Sequence, residues 1–385
     1  MPWKASSVME EKARFVLEYE RDEPSMSELC EQFGIARETG YVWLRQAHMR
    51  WGPRKLKRVF ERDQSGRGWP AASTMGEMLK RAGLVVARKQ RRKTAPYTEP
   101  LAHADACNRV WCADFKGWFR SQDGERIDPL TISDAYSRCL LRCQAVEKTN
   151  TERVRAIFEA AFREYGLPAA IRTDNGAPFA SCAIAGLSRL AVWWMKLGIV
   201  PERIEAGHPE QNGRHERRHR TLKQETAMPA AQDRRAQQRS LDGFRQEYNQ
   251  VRPHEALGME TPARVYQPSP RQYPARVPEP EYPGSMLVRS VKSHGGFRWK
   301  KQEVFLSEVL WGERIGLLPV DERWLTIYFA QLPIACFDSR ELRVSPWLPA
   351  QDFAKEEAGE GEASPSPAPL PLDGKQEKVS AMRPV

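Results

Sequence analysis

Hydrophobic positions change their period along this chain, and the changes divide it. Between residues 8 and 46 apolar side chains recur at helical spacing, with Phe15, Val16 and Tyr19 in one stretch and Leu29, Cys30 and Phe33 in the next. Ser25-Met26-Ser27-Glu28 has the form of a capping box, in which a serine and a glutamate each satisfy the other's free backbone amide at a helix start. Gly34 then marks a turn, and a further helix is predicted from about Arg37 to Arg45 with Val42 and Leu44 inward. Helix, glycine turn and a second helix led by polar residues make the helix-turn-helix pattern, which points Arg37, Glu38, Thr39 and Arg45 toward DNA; an ordinary helical hairpin has the same pattern. A second helical unit is predicted over 51–86, from Trp51-Gly52-Pro53 and again from Ser73 to Gly83.

From Asn108 the pattern turns to mixed α/β. Val110–Phe115 reads as a strand carrying Asp114 near its end, and Leu130–Ser133 and Cys139–Cys143 read as two more. An amphipathic helix capped within Thr149 to Thr151 follows, with Val154, Ile157, Phe158, Ala161, Phe162 and Tyr165 on one face, and it stops at Gly166. Ala169–Arg172 is a fourth strand running into Thr173-Asp174-Asn175-Gly176. A helix over Leu187–Leu197, a strand over Ile199–Ile204 and two more helices complete the unit. Three meandering strands followed by helix, strand, helix, strand, helix is the order of a ribonuclease-H-like fold. The Trp193-Trp194 pair is expected to pack against the sheet, and Asp134 to cap a turn.

A proline-rich connector, Pro268 to Pro283, separates this unit from short alternating strands over 286–345, for which a small β-barrel is the economical expectation. The stretch from Gln351 is too poor in apolar residues to order itself. The predicted architecture is therefore multidomain: helix-turn-helix residues 1–48, a second helical unit and basic linker 49–95, an α/β core 104–268, a small β-barrel 284–345 and a disordered tail 350–385.

Charge changes this picture. Sixty Lys and Arg against 50 Asp and Glu leave a formal +10, and the basic side is concentrated between Arg45 and Lys93 while the stretch after Phe353 is acidic. The folded part is thus more basic than the whole, which favours nucleic acid as partner. Apolar runs are broken by charge before the roughly 20 residues a membrane helix needs, and the start of the chain has no signal-peptide core. Seven cysteines without a CxxC pair fit reduced thiols. A cytoplasmic, nucleoid-associated protein is expected, with no membrane partner.

Four blocks carry the chemistry: Trp111-Cys112-Ala113-Asp114; Arg172-Thr173-Asp174-Asn175-Gly176; His208-Pro209-Glu210-Gln211-Asn212-Gly213-Arg214-His215-Glu216-Arg217; and Tyr248-Asn249 through Arg252-Pro253-His254 to Ala256-Leu257-Gly258 and Thr261-Pro262. Together, in this order, they resemble the transposases of bacterial insertion sequences that share the retroviral-integrase core, and the resemblance runs from about Met1 to Asp338. It implies a DDE polynucleotidyl transferase in which Asp114, Asp174 and Glu216 are the catalytic, metal-binding carboxylates. The implied cofactor is magnesium or manganese, two ions, and the implied partners are the element's terminal inverted repeats and target DNA, met by a homo-oligomer. The chemistry suits such residues: in-line attack at a phosphorus shielded by anionic oxygens is promoted by two ions about 3.5–4 Å apart, and magnesium takes carboxylate oxygens.

The segment from Asn212 to Thr226 reads as a helix with Leu222 its one clearly apolar side chain. Glu216, His219, Arg220 and Lys223 share a face by spacing, so Arg217, Arg220 and Lys223 are candidate DNA contacts and His219 a contact to DNA or to the carboxylates. Between Asp174 and Glu216 lie 41 residues, and between Asp174 and Glu210 lie 35, the separation usual in the family. Context nevertheless selects Glu216, because Pro209, Asn212 and Gly213 make the turn that precedes the family's third acid. The connector between Gln46 and Trp51 is shorter than in relatives. The zinc-binding HHCC module of retroviral integrases has no counterpart, so no zinc is expected. Two other readings are a defective remnant acting only as a DNA-binding protein and a structure-selective nuclease on the same fold.

Overall fold

A computed structural model describes residues 25–36, 51–63, 68–81, 104–203, 213–227 and 230–346, with isolated positions 15, 18, 19, 39, 40 and 43. Helix α1 (Met26–Gln32) begins on the capping box: the Ser25 hydroxyl accepts from the Glu28 amide, and the Glu28 carboxylate accepts from the Ser25 amide at 2.8 Å. Thr39 and Gly40 are helical. A Cβ at Gly40 would lie 2.7 Å from the Cys30 sulfur and 2.9 Å from the Phe15 ring, so only glycine lets the helices approach this closely. Arg37, Glu38 and Arg45 lie outside the described residues, as do the basic linker and the stretch after residue 346. Helices α2 (Pro53–Asp63) and α3 (Ala72–Arg81) add Trp51, Leu56, Val59, Phe60, Met75 and Leu79 to the cluster formed by Phe15, Met26, Leu29, Cys30 and Trp43. Helix α2 also reaches the α/β core, through Arg58 to Glu260 at 2.6 Å and Arg62 to the Val251 carbonyl.

The core is a six-stranded mixed sheet. Strands β1 (Val110–Phe115), β2 (Phe119–Arg120), β3 (Arg126–Asp134), β4 (Leu140–Val146), β5 (Ala170–Thr173) and β6 (Val200–Arg203) run in the order β2-β3-β1-β5-β6, with β4 also paired to β3. The first three long strands are antiparallel, while β5 and β6 join parallel to β1. The short β2 had no signal in the sequence. Helix α4 (Thr151–Tyr165) is capped by Asn150, whose side chain accepts from the Arg153 amide, and ends at Gly166, φ +77°. It buries Val154, Phe158, Ala161 and Phe162 against one sheet face, and helix α5 (Arg189–Lys196) adds Leu190, Trp193 and Trp194 there. The tryptophan pair thus packs against the sheet as expected. The opposite face is covered by α6 (Gly213–Thr226) and α7 (Arg234–Gln246), whose Leu222, Leu241 and Phe244 meet Leu140 and Cys143.

Beyond the connector, β7 (Leu287–Ser290), β10 (Arg314–Pro319), β11 (Trp324–Phe329), β12 (Leu332–Asp338) and β13 (Arg343–Pro346) form an antiparallel sheet in the order β13-β12-β11-β10-β7. A hairpin, β8 (Gly296–Trp299) and β9 (Gln302–Phe305), lies beside it and is tied to it by a bridge between Val291 and Phe297. The described pairings do not include one that closes this sheet into a barrel. Helix α5 joins this unit to the core. Its Ala191, Val192 and Met195 pack into the cluster of Phe297, Leu317, Ile327 and Phe337, while its other side faces α4. A helix that is apolar all round is one buried on every side, which explains the run Leu-Ala-Val-Trp-Trp-Met.

Candidate active site

The pleat of β1 decides which way Asp114 faces. Trp111 and Ala113 point into the cluster under α4, so Val110, Cys112 and Asp114 point to the other face, the one α6 covers. Asp114 is 9% exposed. Its antiparallel partner across the sheet is Thr131, which therefore shares its face. Strand β5 runs parallel to β1 with Cys112 opposite Arg172. Asp114 lies two positions past Cys112, near the end of β1, and Asp174 lies two past Arg172, just beyond the end of β5. Asp174 is half-buried just past β5, and its Oδ1 accepts from the Gly176 amide at 3.2 Å. Burial pushes its carboxyl above the usual carboxylate range, with the Gly176 bond opposing. The strand end is held by Arg172, which forks onto Glu202 of β6 at 2.9 and 2.7 Å.

Helix α6 crosses this face. Arg218, Leu222 and Thr226, spaced i, i+4, i+8, are buried against the sheet. His219 turns toward β1: its Nε2 lies 2.9 Å from the Thr131 hydroxyl and its Nδ1 3.8 Å from Asp114 Oδ2. Burial, reinforced by Arg218 and Lys116, lowers the imidazole to about 3, so it is neutral near pH 7 and its contact with Asp114 is not an ion pair. The Thr131 hydroxyl also lies 3.2 Å from the Asp114 carbonyl, and the tautomer of His219 sets which of Thr131 and Nε2 donates in their bond. Thr131 is fully buried. The hydroxyl thus links helix and strand.

Glu216 stands on α6 three residues before His219, so its Cα belongs to the helix face that looks toward Asp114. The Glu216 and Arg217 side chains, and Glu210 entirely, lie outside the described residues. Among the described residues no three His, Cys, Asp or Glu side chains gather as a metal-binding group; Asp114 and His219 meet on this face. Arg220 and Lys223 of α6 are exposed. Thr39 stands apart, on the N-terminal helical unit.

Asp134 is not part of this group. It is 1% exposed, and its oxygens accept from the Asn108 amide, the Ser137 amide and the Ser137 hydroxyl at 2.6–2.8 Å, the turn-capping role expected of it. The fourth sequence block also serves the framework. Asn249 clamps β4 by accepting from the Leu140 amide and donating to its carbonyl, and Arg252 reaches Glu225 on α6 at 3.1 Å. Sequence reasoning missed Thr131. Its only signal was its place opposite Asp114, and that requires the strand register.

Comparison with known proteins agrees with this geometry. Residues 104–209 and 197–262 each match the family described as Integrase core domain. An uncharacterized 31.7 kDa protein of insertion element IS407 from Burkholderia multivorans is 29% identical over 224 residues, covering 58% of this chain and 77% of the relative. An uncharacterized 39.2 kDa protein of insertion element IS476 from Xanthomonas euvesicatoria is 28% identical over 234 residues, 58% of this chain and 62% of the relative. Among solved structures, the HTLV-2 integrase catalytic core domain in complex with magnesium overlaps 42% of this chain and 99% of its own at 15% identity and TM-score 0.34. A simian T-cell lymphotropic virus intasome chain overlaps 71% and 97% at 15% identity and TM-score 0.38. Both structural overlaps are too loose to decide anything about this chain, and the sequence matches carry the conclusion. Residues 104–262 thus match the Integrase core domain family, and the chain is similar to uncharacterized proteins of bacterial insertion elements.

Proposed function

We propose that this protein binds the ends of its insertion element and catalyses metal-dependent DNA strand cleavage and strand transfer, with Asp114, Asp174 and Glu216 holding the metal. The observation that supports it best is the link between helix and sheet. Asp114 lies near the end of β1 and Asp174 just past the end of its parallel neighbour β5, and the helix that carries Glu216 is tied to the Asp114 strand through His219 and Thr131. The donor chemistry fits a hard divalent cation. The carboxylates are sheltered from water, and Asp174 is raised by burial, so the ionised form is costly there until a cation offsets it. Bound at such a site, magnesium supplies stabilisation of the entering and leaving oxygens in displacement at phosphorus.

The chain's own residues do the rest. The Thr131–His219 link sets the distance between helix and strand. Arg220 and Lys223, exposed on the same helix, are placed to take DNA phosphates, and Arg217 completes that basic stretch. We assign recognition of the terminal repeats to the helical units over 1–48 and 49–95, with Arg37, Glu38, Thr39 and Arg45 as contacts. Because both element ends must be processed together, the working form is a homo-oligomer on DNA. Among the described residues no helix is long and apolar enough to cross a membrane.

The test uses full-length protein, a terminal-repeat oligonucleotide and magnesium. Asp114→Asn and Asp174→Asn are expected to reduce cleavage and strand transfer to background while DNA binding stays within about twofold of the parent. If either variant loses binding in step with chemistry, the carboxylates are structural and the reading fails.

A further inference from the structure

We infer that Trp118, with Arg120 and Arg126, is a stacking platform for an unpaired base of the DNA strand that runs past Asp114. This rests on the reading of the protein as acting on DNA. The chain leaves β1 after Phe115 through Lys116 and Gly117 and continues in the same direction as β2, both strands antiparallel to β3. Trp118 lies in the break between the two strands, 55% exposed, whereas Trp111, Trp193 and Trp194 of the core are buried. The Arg126 guanidinium lies 5.0 Å from its ring centre and that of Arg120 5.9 Å. Neighbouring Lys116 lies 5.0 Å from the Phe119 ring.

Three features mark this as a surface made for a ligand. Arg120 and Arg126 are directly opposed in the β2–β3 pair, an arrangement of like charges that works against the strand pairing. Asp128 offsets it only in part, 3.7 Å from Arg126, and Asp123 and Glu125 at the hairpin tip are occupied by Ser121 and by Arg234. Second, the hairpin is rigid: the Gln122 and Asp123 amides donate to the carbonyls of Ala231 and Gln232, and the Gln122 side chain donates to that of Ala230. The exposed indole is therefore held in place. Third, it is near the candidate chemistry. Four residues span at most about 14 Å, which is about four stacked nucleotides at 3.4 Å each. A polyanion crossing from α6, where Arg220 and Lys223 are exposed, to the hairpin would relieve the Arg120–Arg126 repulsion. The indole then meets a base and the guanidiniums meet flanking phosphates, the usual division of labour in binding unpaired strands.

The experiment measures full-length protein without metal, binding a duplex whose three-nucleotide 3′ overhang carries 2-aminopurine at each position in turn. Stacking on an aromatic ring quenches this base. The parent should quench it at one or two overhang positions. Trp118→Ala should abolish that quenching and weaken binding roughly 5- to 150-fold, the range for losing one base–aromatic stack. Trp118→Tyr should restore most of both. Arg120→Gln and Arg126→Gln should each lower the slope of log affinity against log salt by about one. The proposal is overturned if Trp118→Ala quenches like the parent, or if it weakens blunt duplex equally with no quenching anywhere. Failure here with chemistry still dependent on Asp114 refutes only the platform; quenching with chemistry indifferent to Asp114→Asn refutes only the transposase reading.

Discussion

Replacing Thr131 with valine removes one oxygen from a fully buried position and leaves the side chain's volume almost unchanged. That oxygen is hydrogen-bonded to His219 Nε2 at 2.9 Å and lies 3.2 Å from the Asp114 carbonyl. In Thr131→Val the imidazole nitrogen loses this hydrogen-bond partner inside the protein, a loss of about 1–3 kcal/mol. His219→Ala removes the same bond from the other side and adds a cavity, for about 2–4 kcal/mol in all. Because both delete one shared interaction, the double variant should fall short of the sum by about 0.5–3 kcal/mol. Freed of the link, α6 can move against β1, and a shift on the order of 1 Å at a reacting centre costs about 100-fold in rate. A chain of several units does not unfold as one, so hydrogen exchange of the α6 amides is the measure of stability. Strand transfer at saturating DNA measures the rate. Energies that add within about 0.5 kcal/mol, or a rate unchanged in Thr131→Val, would falsify the idea that this hydroxyl couples helix to strand.

Three further outcomes are expected. In one strand-transfer assay Glu216→Gln should eliminate magnesium-dependent activity while Glu210→Gln keeps most of it; the opposite ranking would make spacing, not motif context, the guide to the third acid. Arg323 forks onto Asp338 at 2.9 and 2.7 Å and lowers its carboxyl to about 2. The folded value lies below the unfolded value of about 3.9, so the stabilisation is full above about pH 4 and disappears as the pH falls through 2; Arg323→Met should therefore lower the melting temperature at pH 6 and differ little from the parent near pH 2, and an equal deficit at both pH values would exclude this linkage. Trp194, 1% exposed and 4.9 Å from the Phe158 ring, should cost about 3–5 kcal/mol when cut to alanine, read as the urea midpoint of core unfolding; a cost under about 1 kcal/mol would show that the α4–α5 packing is not under strain of volume.

Much of this protein was legible in its sequence because the relevant physics is local. The capping box at Ser25 to Glu28, the stop at Gly166 and the strand over Val110–Phe115 are set by neighbours in the chain, and the structure places them where the pattern did. The acidic blocks were also visible, Asp114 within one strand and Asp174 just past another. Tertiary structure alone decided what depends on register and on contacts distant in sequence. The pleat and the β1–β3 pairing put Thr131 beside Asp114, and the crossing of α6 brought in His219, 88 positions further along the chain. Neither partnership leaves a trace in any short window. The same holds for α5, whose continuous apolar run marks a buried helix without saying that one side meets the ribonuclease-H-like sheet and the other the C-terminal strands. Periodicity reports how much of an element is covered, whereas the identity of what covers it follows from the long-range packing of the whole chain.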